Sequence, residues 1–183
     1  MANTVPPKIT EPLLAFCRAI APGRPQFIPS KPSADAQPSA CFDNTLLKIT
    51  RAGGSIAYGW AIWSRPGIYF EAEHHGVWRN RRGDLVDVSP QFNGARKILF
   101  LPDADARYDP LKHRSNVLRP ASDNPLAVEF VALANRRNQI QDAYREGGNR
   151  IAMFTLSDQR ELGEILRRLQ ELLQLLSNQK WAS

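Results

Sequence analysis

Between Ser55 and Pro90 the chain passes through three stretches rich in β-branched and aromatic residues: "SIAYGWAIW" (55–63), "IYFEAEHHGVW" (68–78) and "LVDVSP" (85–90). Only Arg65-Pro66-Gly67 and "RNRRGD" (79–84) separate them. Strands joined so tightly must run antiparallel, because a parallel pair needs a long crossover. The spacing therefore predicts a three-stranded meander, and "ARKILFLPD" (95–103) predicts a fourth strand. Ahead of the meander, "CFDNTLLKITR" (41–51) predicts a short helix closed by Gly53 and Gly54. It offers Phe42, Leu46, Leu47 and Ile49 to the core.

Prolines partition the rest. Residues 9–20 suit a helix, with Pro12 in its first turn, where a missing N–H costs little, and Pro22-Gly23 after its end. Prolines 22, 25, 29, 32 and 38 predict an extended surface loop over 22–40. The stretch after Asp103 reads as loop through Pro125. "LAVEFVALANRRNQIQDAYRE" (126–146) predicts a helix closed by "GGN". Over 157–179, apolar residues at 162, 165, 166, 169, 172, 173 and 176 mark one helical face, with Thr155 or Ser157 able to cap its start.

With 183 residues, 43% of them hydrophobic and 23% charged, the chain is expected to form one globular α+β domain. Its parts are the proline-rich loop (22–40), a helix-plus-sheet core (41–103) and a C-terminal helical part (126–179). No apolar run approaches the roughly 20 residues that span a bilayer. The N-terminus has no basic region ahead of an apolar run. A cytoplasmic protein without membrane contact is the expectation, with export by a signal-independent route left open.

Chemistry concentrates around few residues. The chain has three histidines and two cysteines. Cys17 lies in an apolar helical stretch and reads as a buried small hydrophobe. Cys41 lies where a long loop becomes a helix, and a helix N-terminus favours the nucleophilic thiolate. A thiolate enzyme also needs an imidazole to move the proton and a third group to orient it. His74 or His75 can supply the first and Asp87 the second, if neighbouring strands bring them to one face. Parity puts Glu73, His75 and Val77 on one face and Ala72, His74, Gly76 and Trp78 on the other. Leu85, Asp87 and Ser89 likewise share a face. The register that would match one histidine to Asp87 is open at this point.

The order Cys, His, Asp, with a helix leading into an antiparallel sheet, resembles the papain-like superfamily, above all its transglutaminase-like and NlpC/P60-like branches. The matching stretches are "ACFDN" (40–44), "HHGVW" (74–78) and "LVDVSP" (85–90). The wider pattern "YGWAIW…EAEHHGVW…GDLVDVSP…ILFLPD" also resembles a group of bacterial proteins that carry "EAEFHAVW", in which the histidine matching His75 is kept. The resemblance covers Ala40 to Pro102. It implies a papain-like α+β core with Cys41 as nucleophile, His75 as general base and then acid, and Asp87 as the orienting carboxylate. The implied reaction is acyl transfer on an amide or ester (hydrolysis, deamidation or transamidation), without a cofactor, on a protein or peptide substrate. Asn44, His74, Trp78 and Gln91, with Asn93, are candidates to line the cleft. Trp78 could shield a thiolate–imidazolium pair from water.

Each residue also has a plainer reading. Cys41 can be a core residue beside Phe42, His75 a strand histidine bonded to Glu71 or Glu73, and Asp87 a strand-end carboxylate holding backbone N–H groups. Trp60, Trp63 and Trp78 suit core and cleft wall. Cys41, a histidine and a carboxylate are acceptable zinc ligands by type, but no CxxC, HxxxH or HExxH spacing is present. Adjacent strand histidines also point to opposite faces, so no metal is expected. The net charge of +6 favours an acidic partner. Basic clusters at 79–82, 95–97, 112–114 and 135–139 come with no nucleic-acid-binding signature and read as solvated faces or docking patches. A non-enzymatic interaction module on a degenerate papain-like fold is the rival reading. Oligomeric state is not legible.

Overall fold

The protein's structure, a computed structural model, describes residues 3–91, 94–147 and 150–178. Asn93, Gly148 and Asn149 lie outside the described residues. It is mixed α+β, with four helices and an antiparallel, nearly barrel-shaped sheet among those residues. Where length suggests one domain, contacts gather the chain into two compact units. The first takes in the chain up to Ser64 together with Ala72–Tyr108, and the second takes in Arg65–Glu71 and the chain from Asp109 onward.

The first unit holds α1 (Glu11–Ile20), β1 (Gln26–Pro29), α2 (Cys41–Ala52), most of β2 (Ser55–Arg65) and β3 (Tyr69–Arg79), β4 (Leu85–Val86) and β5 (Lys97–Pro102). Sheet order is β1-β5-β2-β3-β4. β2, β3 and β4 are neighbours in sequence order, as tight turns require, while β5 lies on the other side of β2. Closure of the barrel comes from Asp87: its N–H donates to the Pro29 carbonyl (3.0 Å) and its carbonyl accepts from the Lys31 N–H (2.7 Å). Ser30 and Asp87 thereby form a parallel bridge between the two ends of the sheet.

Three expectations are corrected here. The proline-rich segment is not all loop, since Gln26–Pro29 pairs antiparallel with β5, Phe27 opposite Leu99 and Ile28 opposite Ile98. Proline removes a donor only at its own position, and the Pro29 carbonyl remains a good acceptor for Asp87. The third strand of the meander pairs with β3 only through Leu85–Val86, because the backbone at Asp87 is diverted to β1. On α2, Leu46 and Leu47 are 48% and 38% exposed, and Asn44 and Thr45 are buried instead. This helix docks by hydrogen bonds: the Thr45 hydroxyl donates to the Gly76 carbonyl (3.1 Å), and Asn44 bonds outside the helix as described below.

The barrel interior packs Ile28, Ala61, Trp63, Val77, Ile98 and Phe100, with Leu85 against them. Val77 thus faces inward with Glu73, whose carboxylate accepts from the Trp63 indole (2.7 Å). Gly76 faces outward beneath α2, where a Cβ would come within 2.7 Å of the Phe42 ring. Glycine here lets the helix approach the strand.

The second unit contains β6 (Val117–Pro120), α3 (Pro125–Ala143), β7 (Arg145–Gly147), β8 (Arg150–Ile151) and α4 (Leu156–Asn178). The strands β6, β7 and β8 were not legible in the sequence. β6 pairs with β3, whose first residues belong to this unit. Asn124 caps α3 by accepting from Leu126 N–H (3.0 Å), with Pro125 following in the first turn. Thr155 starts α4 by accepting from Asp158 N–H (3.2 Å) while its hydroxyl donates to the Asp158 carboxylate (2.6 Å). Leu162, Ile165, Leu169, Leu172 and Leu176 form the buried stripe of α4, and Leu166 is 53% exposed. The stripe packs with Phe130, Val131 and Ala134 of α3. Leu172→Ala is therefore expected to destabilise this unit by about 2–5 kcal/mol in urea unfolding. Leu166→Ala should stay within about 0.5 kcal/mol of wild type. Equal effects would mean that the stripe is not the core.

Candidate active site

Cys41 is the first residue of α2 and is half-buried. Ser39, two residues before it, takes a left-handed φ of 58°. The N-cap residue of α2, Ala40, makes no side-chain cap to its first turn. Cys17 differs in every respect: it is fully buried in α1, and burial pushes its thiol up to about 11.

His75 and Asp87 meet on the inward face of the sheet. β4 pairs Arg79 with Leu85 and Trp78 with Val86, which leads the next residue, Asp87, toward the His75 end of β3. His75 Nε2 lies 3.1 Å from Asp87 Oδ1. The imidazole also interacts with the Cys41 side chain, by hydrogen bond and by charge. His75 is 5% exposed and Asp87 fully buried. The imidazole and the carboxylate are thus shielded from water, while Cys41 is only half-buried.

Three further donors converge on Asp87. The Ser30 hydroxyl (2.8 Å) and the Gln91 amide (2.7 Å) donate to Oδ2, and the Ser89 N–H (3.1 Å) donates to Oδ1. Burial alone would raise the pKa of this carboxyl. The hydrogen bond and charge of His75, with the Ser30 and Ser89 donors, outweigh it and hold the group below its usual value of 3.8. Burial likewise pushes the His75 imidazolium toward deprotonation. Its hydrogen bonds to Asp87 and Cys41, and their charges, overcome that and hold its pKa well above 6.5.

The cleft candidates fall into different places. Gln91 is half-buried and turned to Asp87. Asn44 is buried, accepting from Gln37 N–H (2.9 Å) and donating to the Gln37 carbonyl (2.8 Å) and to Ser89 Oγ (3.1 Å). It ties the approach to Cys41 rather than lining a cleft. His74 points to the other face from His75, with its ring 4.8 Å from Phe42 and 5.5 Å from Trp60, and Nε2 2.6 Å from the Ala106 carbonyl. Trp78 donates from its indole to the Gly53 carbonyl (2.8 Å), beyond the C-terminal end of α2. Cys41 opens that helix, so shielding of a thiolate by Trp78 is replaced by an anchoring role at the opposite end. Ser30 and Ser89 were missed. Serine in a proline-rich loop carries no signal of its own, although Ser89 shares the parity of Asp87.

No helix among the described residues is long and apolar enough to cross a membrane. Comparison with known proteins finds no matching family model and no significantly similar curated protein or solved structure.

Proposed function

We propose that the first unit is a papain-like core and that Cys41, His75 and Asp87 form the catalytic triad of a thiol-dependent acyl-transfer enzyme. The observation that carries this reading is the chain of interactions from half-buried Cys41, through a buried imidazole, to a buried carboxylate held by three other donors. A carboxylate in need of a partner would be satisfied by the serines and Gln91 alone. A histidine that merely fills a core would have no reason to interact with a cysteine as well.

In the first half-reaction the Cys41 thiolate attacks the carbonyl carbon of an amide or ester, and the oxygen gathers negative charge. The Cys41 backbone N–H, in the first turn of α2, is one donor for that oxygen. As the bond to the leaving group breaks, the His75 imidazolium gives that group its proton, leaving a thioester on Cys41 and a neutral imidazole. Water or an amine then attacks the thioester, His75 takes the proton from the attacking atom, and the thiolate–imidazolium pair is restored. Water completes hydrolysis or deamidation, and an amine completes transamidation. Asp87 keeps Nε2–H fixed, and with it the orientation of the ring, throughout.

The test is a trapped thioester. The Cys17→Ala protein, incubated with activated acyl esters and glutamine-containing peptides and quenched in acid, should show the acyl mass added at Cys41. Cys41→Ser should abolish it. No adduct from any amide or ester, or an adduct that survives loss of Cys41, sinks the proposal.

A further inference from the structure

The Asn44 side chain joins three segments: α2, the loop at Gln37 and the stretch after β4 at Ser89. Asn44 lies one turn into α2 from Cys41 and is 5% exposed. Gln37 N–H can only donate, which fixes the amide oxygen toward it and both amide hydrogens toward the Gln37 carbonyl and Ser89 Oγ. Ser89, 4% exposed, donates its N–H to Asp87 Oδ1, the same oxygen that holds His75. The contacts close a circuit: Cys41 to His75, Asp87, Ser89 and Asn44, then back along one helical turn to Cys41. An asparagine costs an interior helical position stability relative to alanine or leucine, so core filling alone does not explain it.

We propose that Asn44 is a positioning residue: through Ser89 it locks the helix bearing Cys41 to the segment bearing Asp87, and so sets how sulfur and imidazole are aligned. This rests on the acyl-transfer reading of the site and adds a residue that touches none of the reacting atoms. Without the link, α2 is still held by Thr45, by the packing of Phe42 over Gly76 and by Trp78 at its far end, but the turn bearing Cys41 loses its tie to the Asp87 segment. A shift of about 1 Å in a reacting pair is enough to slow a reaction on the order of a hundredfold.

The experiment is alkylation of Cys41 by iodoacetamide across pH, in the full chain carrying Cys17→Ala. Ser89→Ala removes the hydroxyl link but leaves the Asn44–Gln37 bonds and the Ser89 N–H in place. It should slow alkylation on the order of tenfold or more and move the rate-against-pH curve toward that of His75→Ala. Asn44→Ala should do the same, and the double variant should add little beyond the larger single effect. If Asn44→Ala does not fold, Ser89→Ala decides alone. A wild-type curve in Ser89→Ala, whatever its thermal stability, overturns the positioning role while leaving the triad standing. If His75→Ala also keeps the wild-type curve, the thiol–imidazole reading itself fails and the positioning role goes with it.

Discussion

His75→Gln is expected to slow acylation of Cys41 by an amide about 10²–10⁴-fold, the usual worth of a positioned general acid–base group. Glutamine keeps a hydrogen-bond donor toward Asp87, so the buried carboxylate is not left bare. It cannot carry a proton to the leaving amine. An ester with a good leaving group, such as a nitrophenolate, needs no such proton, so its acylation should slow less than that of the amide. The comparison separates proton delivery from a general loss of structure, which would affect both alike. In the wild type, His75 stays protonated to well above pH 6.5 because Asp87 and Cys41 outweigh its burial. Amide acylation should therefore hold up past that pH and decline only as the imidazolium is lost. Equal losses for amide and ester in His75→Gln, or none, would remove His75 from the reaction.

The legible and illegible parts of this fold divide by the range of the interactions. β2 and β3 are legible because their β-branched and aromatic content and the Arg65-Pro66-Gly67 turn act over a few residues. The α4 stripe is legible for the same reason at helical period. α2 could be bounded from sequence, but its buried face could not. Amphipathicity counts apolar side chains, whereas α2 buries Asn44 and Thr45 and leaves Leu46 and Leu47 in water. Cys41, His75 and Asp87 stand out in the sequence as scarce or strand-placed reactive groups, and they meet in space. Their register was illegible because it depends on the 79–84 turn. There Asn80 Oδ1 accepts from both Arg82 N–H and Asp84 N–H, setting Arg79 opposite Leu85. Ser30 was beyond reach altogether, since it bonds a residue 57 positions away from inside a segment whose prolines argued against any strand.

Asp87 should prove the most costly single residue of the site to remove. Asp87→Ala leaves a buried imidazolium, the Ser30 hydroxyl and the Gln91 amide without their acceptor. Taking one partner from a buried pair costs about 3–5 kcal/mol. Asp87→Asn keeps the shape and one oxygen but sets an amide N–H₂ against donors, so it should fall between alanine and wild type. The pH dependence identifies the source of the loss. The His75 pKa is raised on folding, so its contribution is fully present below about 6.5 and is lost as pH climbs through the higher folded value. The Asp87 pKa is lowered, so its contribution is present above about 3.8 and is lost as pH falls through the lower folded value. Urea unfolding of wild type and Asp87→Asn should therefore differ most between about pH 4 and 6.5, with the gap narrowing on either side. A gap that stays the same below about pH 4 and above the window as within it would assign the loss to packing and the Ser30 bridge, and the charge pair would contribute nothing to the fold.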